Sequence, residues 1–192
     1  MTITLQEFQE KCKEFNDLEK RGSFYPMFMK MMNNGFEIEA MLFILSTWNF
    51  ATFRYAMKTF DILDFTETVR KCEPTFAKLK NYSIQNIDFE SIRDDIKILY
   101  NSFQIIKGVK YTGTAKLLHL KNPNLFVMWD SYIKRKYDFS RGSADDYVDF
   151  LKKMQEMFGH IVWHNEERTL AKAIDEYNYL TITMPEMENK RK

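Results

Sequence analysis

An all-α fold is predicted by three features of this 192-residue chain. Apolar residues recur every three or four positions along most of it, helix-capping residues precede several of those stretches, and only one short segment alternates as a strand would. With 45% hydrophobic residues the chain can bury a core of one domain's size, and no low-complexity tract or Pro/Gly/Ser linker divides it. A single helical domain is expected over residues 1–184, with "PEMENKRK" at 185–192 as a frayed tail.

The first helix is expected over residues 4–21. "TLQE" is a capping-box pattern, and Leu5, Phe8, Cys12, Phe15 and Leu18 follow at helical spacing up to Gly22. A short helix at 25–33 accepts Pro26 in its first turn and ends at Gly35. Residues 38–60 are apolar on most faces, which predicts a central buried helix with a candidate break at Trp48 and Asn49. Residues 64–80 read as helical pieces divided at Pro74. Asp88 is placed to cap a helix carrying Phe89, Ile92, Ile96, Leu99 and Phe103 on one side. The last helices are expected at 143–158, where "SADD" is a capping box with Asp in place of Glu, and at 165–177. "YLTITM" at 179–184 alternates, but one lone short strand has no partner.

Composition excludes several classes. The longest apolar run, around "AMLFIL", is too short to span a bilayer, and "MTITLQEF" lacks the basic start and apolar centre of a signal peptide, so an intracellular, cytoplasmic protein is expected. Cys12 and Cys72 cannot make a four-thiolate zinc site or an iron–sulfur cluster and are read as reduced; no cofactor is expected. His160 and His164 stand at i and i+4, but Ile161 occupies the place of a metalloprotease glutamate and no third ligand is evident. They are read as non-ligating, no metal is assigned, and His119 is read as structural. The near-neutral total charge hides an asymmetry. Residues 101–141 hold eight basic and two acidic residues, while the rest of the chain is acid-rich. A clustered positive field suits a polyanion, although a charge run alone is more often a solvated face.

Within that basic segment, "IIKGVKYTG" is a turn with Gly108 and Gly113 at its ends, and "TAKLLHL" follows with Ala115, Leu117 and Leu118 toward the core. Residues 104–121 therefore read as the hairpin of a helix, hairpin, helix unit. Backbone N–H groups at the second helix's start, with lysines around them, suit a phosphate without reading sequence. An ordinary connector between antiparallel helices uses the same glycines.

These residues resemble the helix-hairpin-helix DNA glycosylases, a superfamily that includes endonuclease III and the eight-oxoguanine glycosylases. Gly108-Val109, Thr114-Ala115, Pro123, Val127, Asp130 and Ile133 occur in the order and near the spacing of that family's hairpin, loop and aspartate, and Leu45-Ser46 matches its upstream buried helix. The likeness covers about residues 36–137. Lys110 replaces the second hairpin glycine, Gly113 is one residue extra, and no lysine precedes Thr114-Ala115 as in the bifunctional members.

The resemblance implies a DNA repair protein that hydrolyses the N-glycosidic bond of a damaged or mismatched base, without a Schiff-base lysine and therefore monofunctional. Its partner would be double-stranded DNA containing such a base, and a monomer is expected. Two roles are open to Asp130: capping the helix "SYIKRKY", and stabilising the positive charge that develops on the sugar. Trp48, Asn49 and Trp129 become candidates for the pocket that receives the extruded base. Lys107, Gly108, Lys110, Gly113 and Lys116 become candidates for the DNA backbone. The alternative is a non-catalytic nucleic-acid-binding or assembly protein on the same fold.

Overall fold

A computed structural model describes residues 3–139, 141–165 and 167–190. Among the described residues the secondary structure is helical, with no strand. Helix α1 (Leu5–Leu18) begins where the capping box predicts, with Thr4 Oγ1 accepting from the Glu7 N–H at 3.2 Å, and buries Phe8, Cys12 and Phe15. A 3₁₀ turn (Lys20–Phe24) leads into α2 (Tyr25–Asn33), with Pro26 in its first turn. Gly35, at φ +81°, then turns the chain into α3 (Glu37–Thr47). The break at Trp48 and Asn49 is real: α4 (Phe50–Phe53) and a 3₁₀ turn (Met57–Thr59) replace a helix continuing to residue 60.

Helix α5 (Ile62–Leu79) runs unbroken through Pro74. Its stripe of Phe65, Val69, Cys72, Phe76 and Leu79 is buried on both sides of the proline, which sits on the exposed face. Water can serve the carbonyl that loses its donor there, so packing outweighs the local cost. Asp61 is the cap, accepting from the Leu63 and Asp64 N–H groups at 2.9 and 3.2 Å. Asp88 holds a preceding turn through the Glu90 N–H at 3.0 Å, and α6 (Arg93–Gln104) starts one turn later than predicted.

Helix α7 (Lys110–Lys121) is deeply enclosed, with every residue from 113 to 120 buried. Short α8 (Ser131–Lys136) follows, then α9 (Ala144–Phe158), capped by Ser143 through the Asp146 N–H at 3.1 Å. Asn165 caps only a turn, so α10 (Leu170–Asn178) begins at the Thr169 cap. A π-helical turn (Tyr179–Thr183) continues α10 into α11 (Met184–Asn189). The alternating segment is thus helical, and the tail expected to fray is helical to Asn189; residues 191–192 lie outside the described residues.

Helices α3 and α6 pack on α7, α9 packs on α6, and α1 lies against α10. An aromatic cluster joins the centre: Trp129 sits 5.1 Å from both the Tyr147 and Phe150 ring centroids, and Tyr100 lies 4.9 Å from Tyr147. The α1–α10 contact brings the two ends of the chain together at the site below. Among the described residues no helix is long and apolar enough to cross a membrane.

Candidate functional site

The connection from α6 to α7 is held from beneath. Gly108 adopts φ +89° and lies so close to the 53–56 segment that an added Cβ would fall 2.4 Å from the Ala56 Cβ. Asn49 Nδ2 donates to the carbonyls of Gly108 and Val109 at 3.1 and 3.3 Å. Gly113 lies inside α7, where a Cβ would come within 2.8 Å of that same amide. Asn49 and Gly113 therefore fasten the hairpin to the end of α3. Lys107 and Lys110 remain exposed on its outer side, and Lys110 adopts φ +50° at the first position of α7.

One face of α7 lines a cavity of about 130 Å³ that also touches Trp48, Met128, Trp129, Asp130 and the α10 end of the chain. Thr112 and Lys116 project into it one helical turn apart. Asp130 sits on the wall at the start of α8. Its Oδ1 accepts from the Tyr132 and Ile133 N–H groups at 2.7 and 2.9 Å, and its Oδ2 accepts from the Thr183 hydroxyl at 2.7 Å. Asp130 is thus a helix cap, and it also borders the cavity. Lys116 is 8% exposed and forms no ion pair with a described residue. Burial lowers the pKa of its amine, and attraction to Asp130 and Asp175 only partly opposes the shift.

Opposite them stands a second charged group. Lys172 is wholly buried, with its Nζ 2.8 Å from Asp175 and 3.2 Å from Glu176. The rings of Phe15, Tyr25 and Trp48 surround the ammonium with centroids 5.1 to 5.3 Å away. Burial alone would lower this amine's pKa, but the two carboxylates reverse the shift upward. Glu176 Oε2 has no hydrogen-bond partner, leaving that buried carboxylate half-satisfied. At the rim, Arg21 grips Glu19 with two bonds, at 2.9 and 2.6 Å, and also donates to the Tyr179 hydroxyl. These bonds from Arg21 hold the Glu19 carboxyl down at about 2.

The fold gathers Trp48, Lys116, Trp129 and Asp130 at one cavity and leaves the other candidates outside it. Trp48 Nε1 donates to the Arg21 carbonyl at 3.1 Å, and Trp129 Nε1 to the Tyr111 carbonyl at 3.3 Å, so both indoles are anchored. Asn49 is buried against the hairpin, and Gly108 and Gly113 are buried as well, so of the five backbone candidates only Lys107 and Lys110 are exposed. Lys116 turns inward, into the cavity and off the exposed surface of the hairpin. His160 and His164 lie beyond the end of α9, off any helix, and among the described residues no three His, Cys, Asp or Glu side chains converge as a metal site. His119 is fully buried, with Nε2 3.0 Å from the Tyr25 hydroxyl and Nδ1 2.6 Å from the Phe126 carbonyl.

Sequence reasoning missed Arg21, Lys172, Asp175, Tyr179 and Thr183. A signal for Lys172 was present: it interrupts the apolar stripe of α10, with Asp175 and Glu176 three and four residues on. No protein-family model, curated protein or solved structure matches this chain.

Proposed function

We propose that the protein is a divergent helix-hairpin-helix DNA glycosylase that hydrolyses the N-glycosidic bond of a damaged or mismatched base, with Asp130 as the catalytic carboxylate. The supporting observation is the seat of Asp130, a carboxylate fixed by three hydrogen bonds on the wall of a cavity shared with Trp48, Trp129 and Lys116. Lys107 and Lys110 hold the phosphate backbone, and the extruded base enters the cavity. As the C1′–N bond breaks, its electron pair leaves with the base and positive charge builds on the sugar. The Asp130 carboxylate stabilises that charge without reorganising and orients the water that attacks C1′. The partner in this reading is duplex DNA, bound by a cytoplasmic monomer.

The test is base release from duplexes that each carry a single lesion. Wild type is expected to release at least one base, leaving a strand that breaks only with added alkali. Asp130→Asn should abolish release and keep DNA affinity, because the amide preserves the shape and the cap but not the charge. DNA binding with no release from any lesion would favour the non-catalytic binding protein instead.

A second reading rests on Lys116. Its amine faces the cavity, and burial favours the neutral, nucleophilic form. Attack of Nζ on C1′ would expel the base with the electron pair of the C1′–N bond. Nζ then loses a proton and the C1′–O4′ bond breaks, O4′ taking up a proton, to leave an imine between Nζ and the ring-opened sugar, which borohydride reduces to a stable adduct. An adduct in wild type that is lost in Lys116→Met selects this route; none selects the hydrolytic one.

A further inference from the structure

We infer that the exposed face formed by α4, the turn after it and the outer side of the hairpin is a stacking platform for unpaired bases of a nucleic-acid strand. The inference deepens the DNA-binding half of the proposed function and does not require base release. Two stretches of chain meet at this face, and neither contains an acidic residue: none stands between Glu39 and Asp61, or between Asp95 and Asp130. Their contact is direct, since Gly108 packs on Ala56 and the Asn49 amide donates to the Gly108 carbonyl. Arg54, Lys58, Lys107 and Lys110 are exposed there, giving four cations with no carboxylate on either stretch.

Among the cations stand large apolar and aromatic side chains that the fold leaves exposed. Tyr55 is 74% exposed and Phe50 is 50% exposed, while Ile105 at the hairpin is 84% exposed. The Arg54 guanidinium lies 4.6 Å from the Tyr55 ring centroid and 5.8 Å from that of Phe50, and it donates to the Tyr55 hydroxyl at 2.6 Å. Phe50 and Tyr55 are thereby linked through one arginine. Aromatic faces beside cations match a strand whose bases are free to stack and whose phosphates are negative. An intact duplex offers this face its phosphates but keeps its bases stacked inside, so the occupant is a strand with unpaired bases. Phe50 follows directly on Trp48 and Asn49, which places the platform next to the cavity.

The test is fluorescence anisotropy with an end-labelled single-stranded oligonucleotide, the blunt duplex of the same sequence, and an oligonucleotide of abasic sugar-phosphate units. Wild type should bind the single strand most tightly, the abasic strand least. Tyr55→Ala should weaken single-strand binding about tenfold, Tyr55→Trp should restore it and Tyr55→Leu should not. Circular dichroism and melting of each variant verify that this exposed substitution leaves the fold intact. Equal affinity for the abasic strand, or wild-type affinity in Tyr55→Leu or Tyr55→Ala, would overturn the platform. Because the assay reads binding alone, loss of the platform and absence of base release are separate results.

Discussion

Buried with no acid at hydrogen-bond distance, His119 couples stability to pH. Burial lowers its pKa from an ordinary 6.5 to about 4, with the Phe126 carbonyl, Asp175 and Lys172 as lesser influences. The unfolded chain therefore binds a proton more readily than the native one. The stability contribution is complete above about pH 6.5 and is lost as pH falls toward 4, by roughly 3 kcal/mol at ~1.4 kcal/mol per unit. Urea unfolding at neutral pH and near pH 4.5 should show that loss in wild type and a smaller one in His119→Gln. Lys116 behaves in the opposite sense to an ordinary surface lysine. Its charge is held out of water without a countercharge in contact, so Lys116→Met should raise the melting temperature even if it harms function. At Asp130 the observed cap and the proposed catalytic role can be separated: Asp130→Ala should cost about 1 kcal/mol in thermal unfolding and Asp130→Asn close to nothing.

Between elements, the α3–α7 contact is set by a glycine, Gly113, which packs on Leu45 and Asn49. Gly113→Ala would push a methyl to within 3.0 Å of the Leu45 side chain and 2.8 Å of the Asn49 amide, and should destabilise by about 1–3 kcal/mol in denaturant titration. Glycine at 113 thus secures helix packing, where the sequence suggested a turn. What was legible at this scale was helix existence and most caps. Thr4, Ser143 and the Gly35 stop signal through the backbone itself, and local chemistry decides them. What was hidden depended on tertiary contact. Pro74 argues locally for a break, and only the buried stripe crossing it reveals why α5 continues. The start of α7 was misplaced because Lys110 and Thr112 look like hairpin residues until Val109 and Gly113 are seen packed beneath. The fold brings Asp130, Trp48 and Trp129 to one cavity, and all three were singled out through the family resemblance. The Lys172 group, contributed by a helix distant in sequence, was not.

For the molecule as a whole, the basic segment is less of a surface feature than its composition implies. Lys116 and Lys134 are buried and Lys121 is held between Glu37 and Glu73, leaving Lys107, Lys110, Arg135, Lys136 and Arg141 exposed. Replacing Lys107 and Lys110 by Gln should weaken duplex binding across sequences and flatten the salt slope by about 0.9 per lost phosphate contact. Binding insensitive to salt would remove the polyanion reading. Charge inside the fold matters differently: Lys172→Met leaves the buried Glu176 with only Arg168, at 3.5 Å, and takes the ion-pair partner from the half-buried Asp175, and should cost about 3–5 kcal/mol in chemical denaturation.

That same ammonium carries a consequence for how the chain matures. Its three enclosing rings come from α1, α2 and the end of α3, while the lysine is on α10. A chain growing on the ribosome has made Phe15, Tyr25 and Trp48 long before Lys172 emerges, so their pocket must wait for the last segment to fill it. Closing so large a loop comes late and contributes little to the folding nucleus. Weakening the closure should speed unfolding more than it slows folding. The cavity should therefore be among the last parts of the protein to form and the first to open, so that a nascent or partly opened chain lacks the enclosed Lys172 pocket.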